Sequence, residues 1–299
     1  MGNKMDAPLS PPNLRPPRDV IVGCYRGLLG REPDPGGLDA WVQAYEHNPD
    51  WSELLRNFSA GDEFRWRHQG PEIKRLIHPL EALHASRVLM VKQLPKVRRI
   101  IDLGGGAAGH PCGAMVLMGY PYPFERLTII EGDESNRHEI YQSVGYGLTE
   151  VKLEQGTVDY LYGSFADLSA IASASIDLAF AGATIEHVTL DDCKKTLSEV
   201  FRVLRPGGEF CFDTPNRRIT EMQFPNTFCN PDHKIEYRND EMQSLIVAAG
   251  LRVVEAKGLN YMPKAAATGK FSEAEISEGI GMFAQIEDCY ELYYRCVRP

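Results

Sequence analysis

The segment that most constrains the fold of this chain is residues 98–110, RRIIDLGGGAAGH, in which an apolar run is followed at once by a carboxylate and several glycines. A short apolar run bounded by glycines is typical of a buried central strand in a parallel sheet. Asp102 interrupts that run, and a buried acid is costly unless it has hydrogen-bond partners. We therefore predict an α/β fold in which Asp102 lies at the carboxyl edge of the sheet, where such folds bind ligands.

The glycines after this strand predict a nucleotide-like ligand held against bare backbone. Gly104, Gly105, Gly106 and Gly109 permit positive φ angles and close approach of a ligand to the main chain. Amides of a following helix would attract an anionic group. Gly104, Gly106 and Gly109 satisfy the dinucleotide fingerprint G-x-G-x-x-G, while with Asp102 the same residues form D-x-G-x-G. The spacing alone leaves both ligand classes open.

A second apolar run, residues 126–135 with the sequence RLTIIEGDES, predicts another strand that ends in an acid. A carboxylate has only acceptors, so it can bind both hydroxyls of a ribose. Glu131 is the predicted ribose ligand because it directly ends the apolar run. Asp133 is the alternative if the strand extends further.

Three further segments follow in a fixed order: residues 160–168 (YLYGSFADL), 175–188 (SIDLAFAGATIEHV) and 201–216 (FRVLRPGGEFCFDTPN). With the D-x-G-x-G loop, this order resembles the class I S-adenosylmethionine-dependent methyltransferases. The second segment contains the glutamate and histidine that precede a valine in that family, here Glu186 and His187. The third resembles its helix, Pro-Gly-Gly turn and fifth strand.

The resemblance implies a Rossmann-like, seven-stranded methyltransferase sheet over residues 98–299, with a small all-helical domain before it. Residues 251–259 and 291–298 would supply the last two strands, the final one antiparallel to the others. It also implies S-adenosyl-L-methionine as cofactor. In the glycine motif, Ala108 occupies the position where the family usually has its next glycine. In the turn after the third strand, Ser164 stands where the family commonly has an acid that binds adenine. Asp167 or the backbone at Phe165 are the alternative adenine ligands. The residues implied to bind the cofactor are Asp102, Gly104, Gly105, Gly106, Glu131, Ser164, Phe165 and Ala181.

The implied chemistry is methyl transfer, in which the enzyme mainly aligns the reactants and excludes water. A hydroxyl acceptor also needs a base, and the candidates are His187 and His233, the latter in the segment NPDHKIEY. No metal is expected, since Glu186 and His187 form an incomplete shell and Ala183 and Thr184 replace the acid expected upstream. The predicted function is O-methylation of a small-molecule or glycan-related acceptor; a non-catalytic adaptor, an N-methyltransferase and a dehydrogenase are alternatives.

The chain before residue 98 divides into a flexible tail (1–17), a small helical domain (18–70) and a connecting helix (71–97). The tail is rich in proline and lacks the apolar region of a signal peptide. Apolar residues then recur at helical spacing in three stripes, around residues 20–29, 38–45 and 51–58. YRGLLGREPDPGGLDAW resembles a bacterial domain of unknown function that accompanies glycan-related enzymes, through Tyr25, Arg26, Leu29, Arg31, Glu32, Asp34, Gly37 and Trp41. This resemblance implies a docking module for a substrate or protein partner.

Composition excludes several classes of partner. A formal net charge of -9 argues against a nucleic-acid substrate, which clustered Lys and Arg would bind. No apolar stretch is long enough to cross a membrane. The seven cysteines form no C-x-x-C pair, which is typical of reduced thiols in a cytoplasmic protein.

Near the C-terminus, residues 264–277 (KAAATGKFSEAEIS) predict a mobile lid that leads into a helix beginning near Ser272. The S-x-x-E pattern from Ser272 to Glu275 predicts a capping box at that helix.

Overall fold

The computed structural model describes residues 17–29, 32–47, 55, 78–107, 110–132 and 150–299. The chain forms two compact units, Met1–Leu76 and Ile77–Pro299. Three groups of predictions lie outside the described residues: most of the tail, the third helical stripe except Leu55, and three single residues of the candidate site. Those three are Ala108, Gly109 and Asp133.

Among its described residues, the first unit contains two helices, α1 (Pro17–Leu29) and α2 (Pro35–His47). Their shared core consists of Ile21, Cys24, Tyr25, Leu29 and Leu38, which come from the first two predicted stripes. Three of the signature residues, Tyr25, Asp34 and Gly37, lie close to one another. The Asp34 carboxylate accepts a hydrogen bond from the Gly37 amide at 2.6 Å, and a Cβ at residue 37 would lie 2.7 Å from the Tyr25 hydroxyl. Part of the signature therefore shapes the turn into α2.

The second unit is built on one mixed sheet. Its strands are β1 (Arg99–Leu103), β2 (Arg126–Glu131), β3 (Glu150–Lys152), β4 (Thr157–Tyr162), β5 (Ile176–Gly182), β6 (Leu204–Pro215), β7 (Arg252–Tyr261), β8 (Met282–Phe283) and β9 (Cys289–Val297). Its helices are α3 (Pro79–Val91), α4 (Ala114–Leu117), α5 (Leu190–Val203), α6 (Arg217–Gln223), α7 (Asn239–Ala248), α8 (Pro263–Thr268) and α9 (Glu273–Glu278), with short 3-10 turns at Ile185–His187 and Ile286–Asp288.

The strand order is β3-β4-β2-β1-β5-β6-β9-β7-β8. Neighbours from β4 to β6 are parallel, and β9 lies antiparallel between β6 and β7. The predicted Rossmann-like sheet with an antiparallel last strand is therefore confirmed, but its predicted count of seven is too low. The two additional strands, β3 and β8, pair antiparallel at the edges and are three and two residues long. Alternation cannot be recognised in segments so short.

Both faces of the sheet are covered. One core cluster joins the sheet to α5 and α7 and includes Leu103, Ala181, Phe212 and Tyr237. A second joins it to α3 and α4 on the opposite face. Burial on both faces explains why β1 and β2 are almost continuously apolar. The carboxyl ends of β1, β2, β4, β5 and β6 meet at one edge of this sheet.

The helix predicted to begin near Ser272 is present as α9, but the predicted capping box is not. Residues 263–268 form α8, and the Glu275 side chain accepts hydrogen bonds from the amides of Lys264 and Ala265, at 2.7 and 2.8 Å. Ser272 precedes α9 without a side-chain cap. Glu275 thus caps α8, because the chain folds back and places that helix start within its reach.

None of the helices among the described residues is long and apolar enough to span a membrane. All seven cysteines are free, as the spacing predicted.

Candidate active site

The loop after β1 depends on glycine at its first position. Gly104 has a φ of +73°, in the left-handed region. Its amide donates to the Ile130 carbonyl at 2.8 Å, and a Cβ there would lie 2.9 Å from the side chain of Thr184. Thr184 in turn donates its hydroxyl to the Leu103 carbonyl at 2.9 Å. The end of β1 is therefore packed tightly against the segment after β5.

Asp102 lies directly beneath Gly105. A Cβ on Gly105 would lie 2.0 Å from Asp102 Oδ2. The Asp102 side chain is buried, and neither carboxylate oxygen has a hydrogen-bond partner among the described residues. Burial, with a smaller contribution from the charge of Glu131, raises the pKa of Asp102 well above its usual range. Because a buried polar group without partners is costly, this carboxyl is suited to a ligand that donates hydrogen bonds.

Glu131 is the last residue of β2, as predicted. Its carboxylate accepts a hydrogen bond from the Gly106 amide at 2.5 Å. Glu131, the predicted ribose ligand, and the glycine loop predicted to bind the cofactor therefore meet at the sheet edge. A ligand that used Glu131 would have to share or replace the bond to Gly106.

The turn after β4 begins beside Glu131, since the Gly163 amide donates to the Glu131 carbonyl at 2.8 Å. Ser164 follows, and its hydroxyl accepts a hydrogen bond from the Ala166 amide at 3.1 Å. Phe165 packs against the core on the α5 side. Ala181 of β5 is fully buried in the same core, so its side chain faces neighbouring apolar groups.

The two predicted histidines lie together. His187 closes the 3-10 turn after β5, and His233 lies in the loop between α6 and α7. Their ring centroids are 4.8 Å apart and their planes are nearly perpendicular. The Glu186 carbonyl accepts a hydrogen bond from the Lys234 amide at 2.8 Å, which ties the loop to the turn. Burial, and then the neighbouring His233, lower the pKa of His187 to about 4.

Sequence reasoning missed Glu236, the direct partner of His233. Its Oε1 lies 2.8 Å from His233 Nδ1. The buried carboxylate also accepts hydrogen bonds from the Thr220 hydroxyl and from the Cys229 amide, the latter at 2.7 Å. Burial alone would raise the pKa of Glu236, but the hydrogen bonds from His233, Thr220 and Cys229 outweigh it and lower the pKa to about 2. The available signal was the H-x-x-E spacing in NPDHKIEY.

Glu186 has the opposite electrostatic character. It is fully buried, its Oε2 accepts from the Thr214 hydroxyl at 3.0 Å, and its Oε1 lies 4.0 Å from His233 Nε2. Burial raises the pKa of Glu186 to about 8, with the charge of Asp213 adding to it and Arg87 opposing it. The surroundings of Glu186 therefore favour its protonated form, and those of Glu236 favour its ionised form.

A second buried cluster was also missed. Arg87 of α3 pairs with Asp213 of β6 at 2.6 Å and with Glu291 of β9. Burial raises the pKa of Glu291, and the nearby Asp213 carboxylate reinforces that effect. These residues are far apart in the chain, and no local pattern connects them.

The potential metal ligands are more numerous than the sequence indicated. Ligand atoms of Glu186, His187 and His233 lie within 4.8 Å of one another, and so do those of Cys229, His233 and Glu236. His233, from a distant loop, is the third potential ligand beside Glu186 and His187. The absence of a metal stays a prediction.

Comparisons with known proteins agree with this fold. Residues 124–212 match the family described as "Methyltransferase domain". A probable S-adenosylmethionine-dependent methyltransferase of Mycolicibacterium smegmatis is 38% identical over 112 residues, which is 38% of this chain and 42% of that protein. A ubiquinone biosynthesis O-methyltransferase of Paraburkholderia phymatum is 25% identical, covering 71% of this chain and 89% of that one. The chain thus matches less than half the length of the first of these relatives.

A solved structure shows the same fold at low sequence identity. The S-adenosylmethionine-dependent methyltransferase of Thermotoga maritima, described as a possible histamine N-methyltransferase, is 19% identical. It aligns with a TM-score of 0.51 over 76% of this chain and 95% of its own. With the family match and the strand order, this likeness establishes the architecture. Residues 124–212 therefore match a methyltransferase domain, and the second unit has the Rossmann-like sheet of the solved methyltransferase.

Proposed function

We propose that this protein transfers a methyl group from S-adenosylmethionine to a hydroxyl of a small-molecule or glycan-related acceptor. The observation that carries the proposal is the buried Asp102 carboxyl, which lacks partners among the described residues and lies beneath Gly105, beside Glu131. A carboxyl in this state suits the donor groups of a nucleoside or an amino acid. The family match and the named relatives support the same conclusion.

The residues at this edge fit the cofactor. Asp102 and the loop Gly104–Gly106 would face its methionine end, Glu131 would bind the ribose, and Ser164 with Phe165 would lie against the adenine. Ala181 would contribute backbone only, because its side chain is in the core. When bound, the cofactor supplies a methyl group already activated by its sulfonium.

Two features favour a hydroxyl acceptor. A hydroxyl must lose a proton during methylation, and two histidines lie side by side after β5 and β6. His187 stays neutral at neutral pH, because its pKa is lowered to about 4. The Paraburkholderia relative, named as an O-methyltransferase, adds support.

Calorimetric titration with S-adenosylmethionine and S-adenosylhomocysteine tests cofactor binding. We expect Asp102→Ala and Glu131→Ala to weaken binding by about tenfold or more, since each removes a hydrogen bond to a charged group. Glu125→Gln, a half-exposed carboxylate paired with Arg98, is the matched control. No binding by the wild type, or unchanged binding by both variants, would sink the proposal; tighter binding of a nicotinamide dinucleotide would favour a dehydrogenase.

An acceptor panel tests the reaction. Release of S-adenosylhomocysteine should follow addition of phenols or sugar hydroxyls and not of amines. Turnover on amines alone would favour the N-methyltransferase. Cofactor binding without turnover on any class would favour the non-catalytic adaptor.

We also propose that the first unit docks a substrate or protein partner, on the strength of the signature around Tyr25 and Asp34. Removal of residues 1–76 should then raise the KM for the native acceptor and leave cofactor binding unchanged. Unchanged turnover would count against docking.

A further inference from the structure

His233 lies between two buried glutamates. Glu236 contacts Nδ1 of the ring at 2.8 Å, and Glu186 lies 4.0 Å from Nε2. The Thr220 hydroxyl and the Cys229 amide donate hydrogen bonds to the Glu236 carboxylate, and these donors favour its ionised form. The two sides of the ring therefore differ, with a hydrogen-bond acceptor among the described residues in place only at Nδ1.

The contact with Glu236 determines which ring nitrogen carries the proton. An ionised carboxylate only accepts hydrogen bonds, so the 2.8 Å contact requires a proton on Nδ1 of His233. In the neutral ring, Nε2 is then an acceptor. Thr220 and Cys229 hold the Glu236 carboxylate in place. His187 differs: burial and the neighbouring His233 lower its pKa to about 4, and the charge and a backbone hydrogen bond of Asp232 only partly oppose this shift.

Glu186 lies on the other side of the ring. Its Oε1 is 4.0 Å from Nε2 of His233, which is beyond hydrogen-bond distance. The Glu236 contact therefore fixes the ring from the Nδ1 side, and Glu186 does not hold Nε2. Arg87, Asp213 and Thr214 face Glu186 from α3 and β6, and Lys234 and Asp232 border the histidine pair.

We propose that Glu236 is a positioning residue that holds His233 with its proton on Nδ1, so that Nε2 of His233, and not His187, is the base for a hydroxyl acceptor. This inference rests on the proposed methyl transfer. The acceptor oxygen forms a bond to the methyl group as the sulfur–methyl bond breaks, and the hydroxyl proton moves to Nε2. The positive charge that the sulfonium loses appears on the imidazolium, beside the Glu236 carboxylate.

Nitrogen NMR of the full-length protein tests the tautomer without any acceptor. The protein is labelled with 15N-histidine and treated with EDTA, and the His233 signals are assigned by their loss in His233→Gln. We expect the wild-type ring to be protonated on Nδ1. In Glu236→Gln the carboxamide can donate to Nδ1, so the signals should shift to the Nε2-protonated form, whereas Glu125→Gln should leave them unchanged.

An Nε2-protonated His233 in the wild type overturns the inference, and that measurement stands even if Glu236→Gln fails to fold. An unchanged tautomer in a folded Glu236→Gln also overturns it.

Kinetics then test the base. With an acceptor from the panel, Glu236→Gln should lower kcat by about 100-fold, within the usual contribution of a general base, and leave the KM for S-adenosylmethionine unchanged. Equal kcat values contradict the role of Glu236. Absence of cofactor binding in the wild type marks failure of the proposed function itself, whichever tautomer His233 shows.

Discussion

At the scale of single residues, Gly105 shows how closely the loop after β1 fits what lies beneath it. Gly105→Ala places a Cβ 2.0 Å from Asp102 Oδ2, in a site where the aspartate has no room to move into solvent. We expect the Kd for S-adenosylmethionine to rise at least about tenfold, because the carboxyl or the loop must shift. Calorimetric titration measures the change.

Gly23→Ala is the control for that substitution. Gly23 lies in α1 with nothing within 4 Å of an added Cβ, so the alanine should leave cofactor binding unchanged and slightly stabilise the helix. Equal Kd values for Gly105→Ala and wild type would contradict the role given to this loop.

Sequence reasoning reached Asp102 and missed Glu236 for a physical reason. Asp102 interrupts an apolar strand, and such an interruption is visible in one dimension. Glu236 lies in an irregular loop, where no periodicity marks which side chain turns inward. Its role depends on the Thr220 hydroxyl and the Cys229 amide, which the fold brings to it.

At the scale of elements, Arg87 connects α3 to the edge of the sheet near the candidate site. Its guanidinium bridges Asp213 of β6 and Glu291 of β9, and both carboxylates are buried. The parallel strands were predictable from apolar runs, and the antiparallel β9 from the resemblance to the class I methyltransferases. The connection through Arg87 was not predictable, since Asp213 and Glu291 lie 126 and 204 positions away from Arg87 in the chain.

Arg87→Met should be strongly destabilising. Removal of the guanidinium leaves two buried carboxylates without their cation, and breaking a buried pair in this way costs about 3–5 kcal/mol. Urea unfolding at pH 7 measures the loss. Combination with Glu291→Gln should recover part of it, because one of the unpaired charges is then absent.

Arg98→Ala is the control at this scale. Arg98 pairs with Glu125 in an exposed position, and exposed pairs contribute about 1 kcal/mol or less. A similar loss for Arg87→Met and Arg98→Ala would show that the buried cluster does not hold α3 on the sheet.

At the scale of the whole molecule, buried carboxyls make folding stability depend on pH in two directions. The pKa of Glu236 is lowered to about 2 in the folded state. Its stabilising contribution is therefore present above the unfolded pKa of about 4.3 and is lost as the pH falls towards 2. The pKa of Glu186 is raised to about 8. Its contribution is complete below about pH 4 and is lost as the pH rises through 8.

Glu186→Gln separates these two effects. Glutamine has the shape of the protonated acid and can still accept the hydrogen bond from Thr214, but it does not titrate. The variant and the wild type should be equally stable at pH 5. At pH 9 the wild type must either keep an ionised carboxylate buried or expose it to water, so the variant should be more stable by on the order of 3 kcal/mol.

Urea unfolding followed by circular dichroism at pH 5, 7 and 9 measures this difference in stability, and Glu125→Gln should show none. A difference that stays constant across the three pH values would mean that Glu186 does not retain its proton in the folded protein, and His233 would then lie between two charged carboxylates.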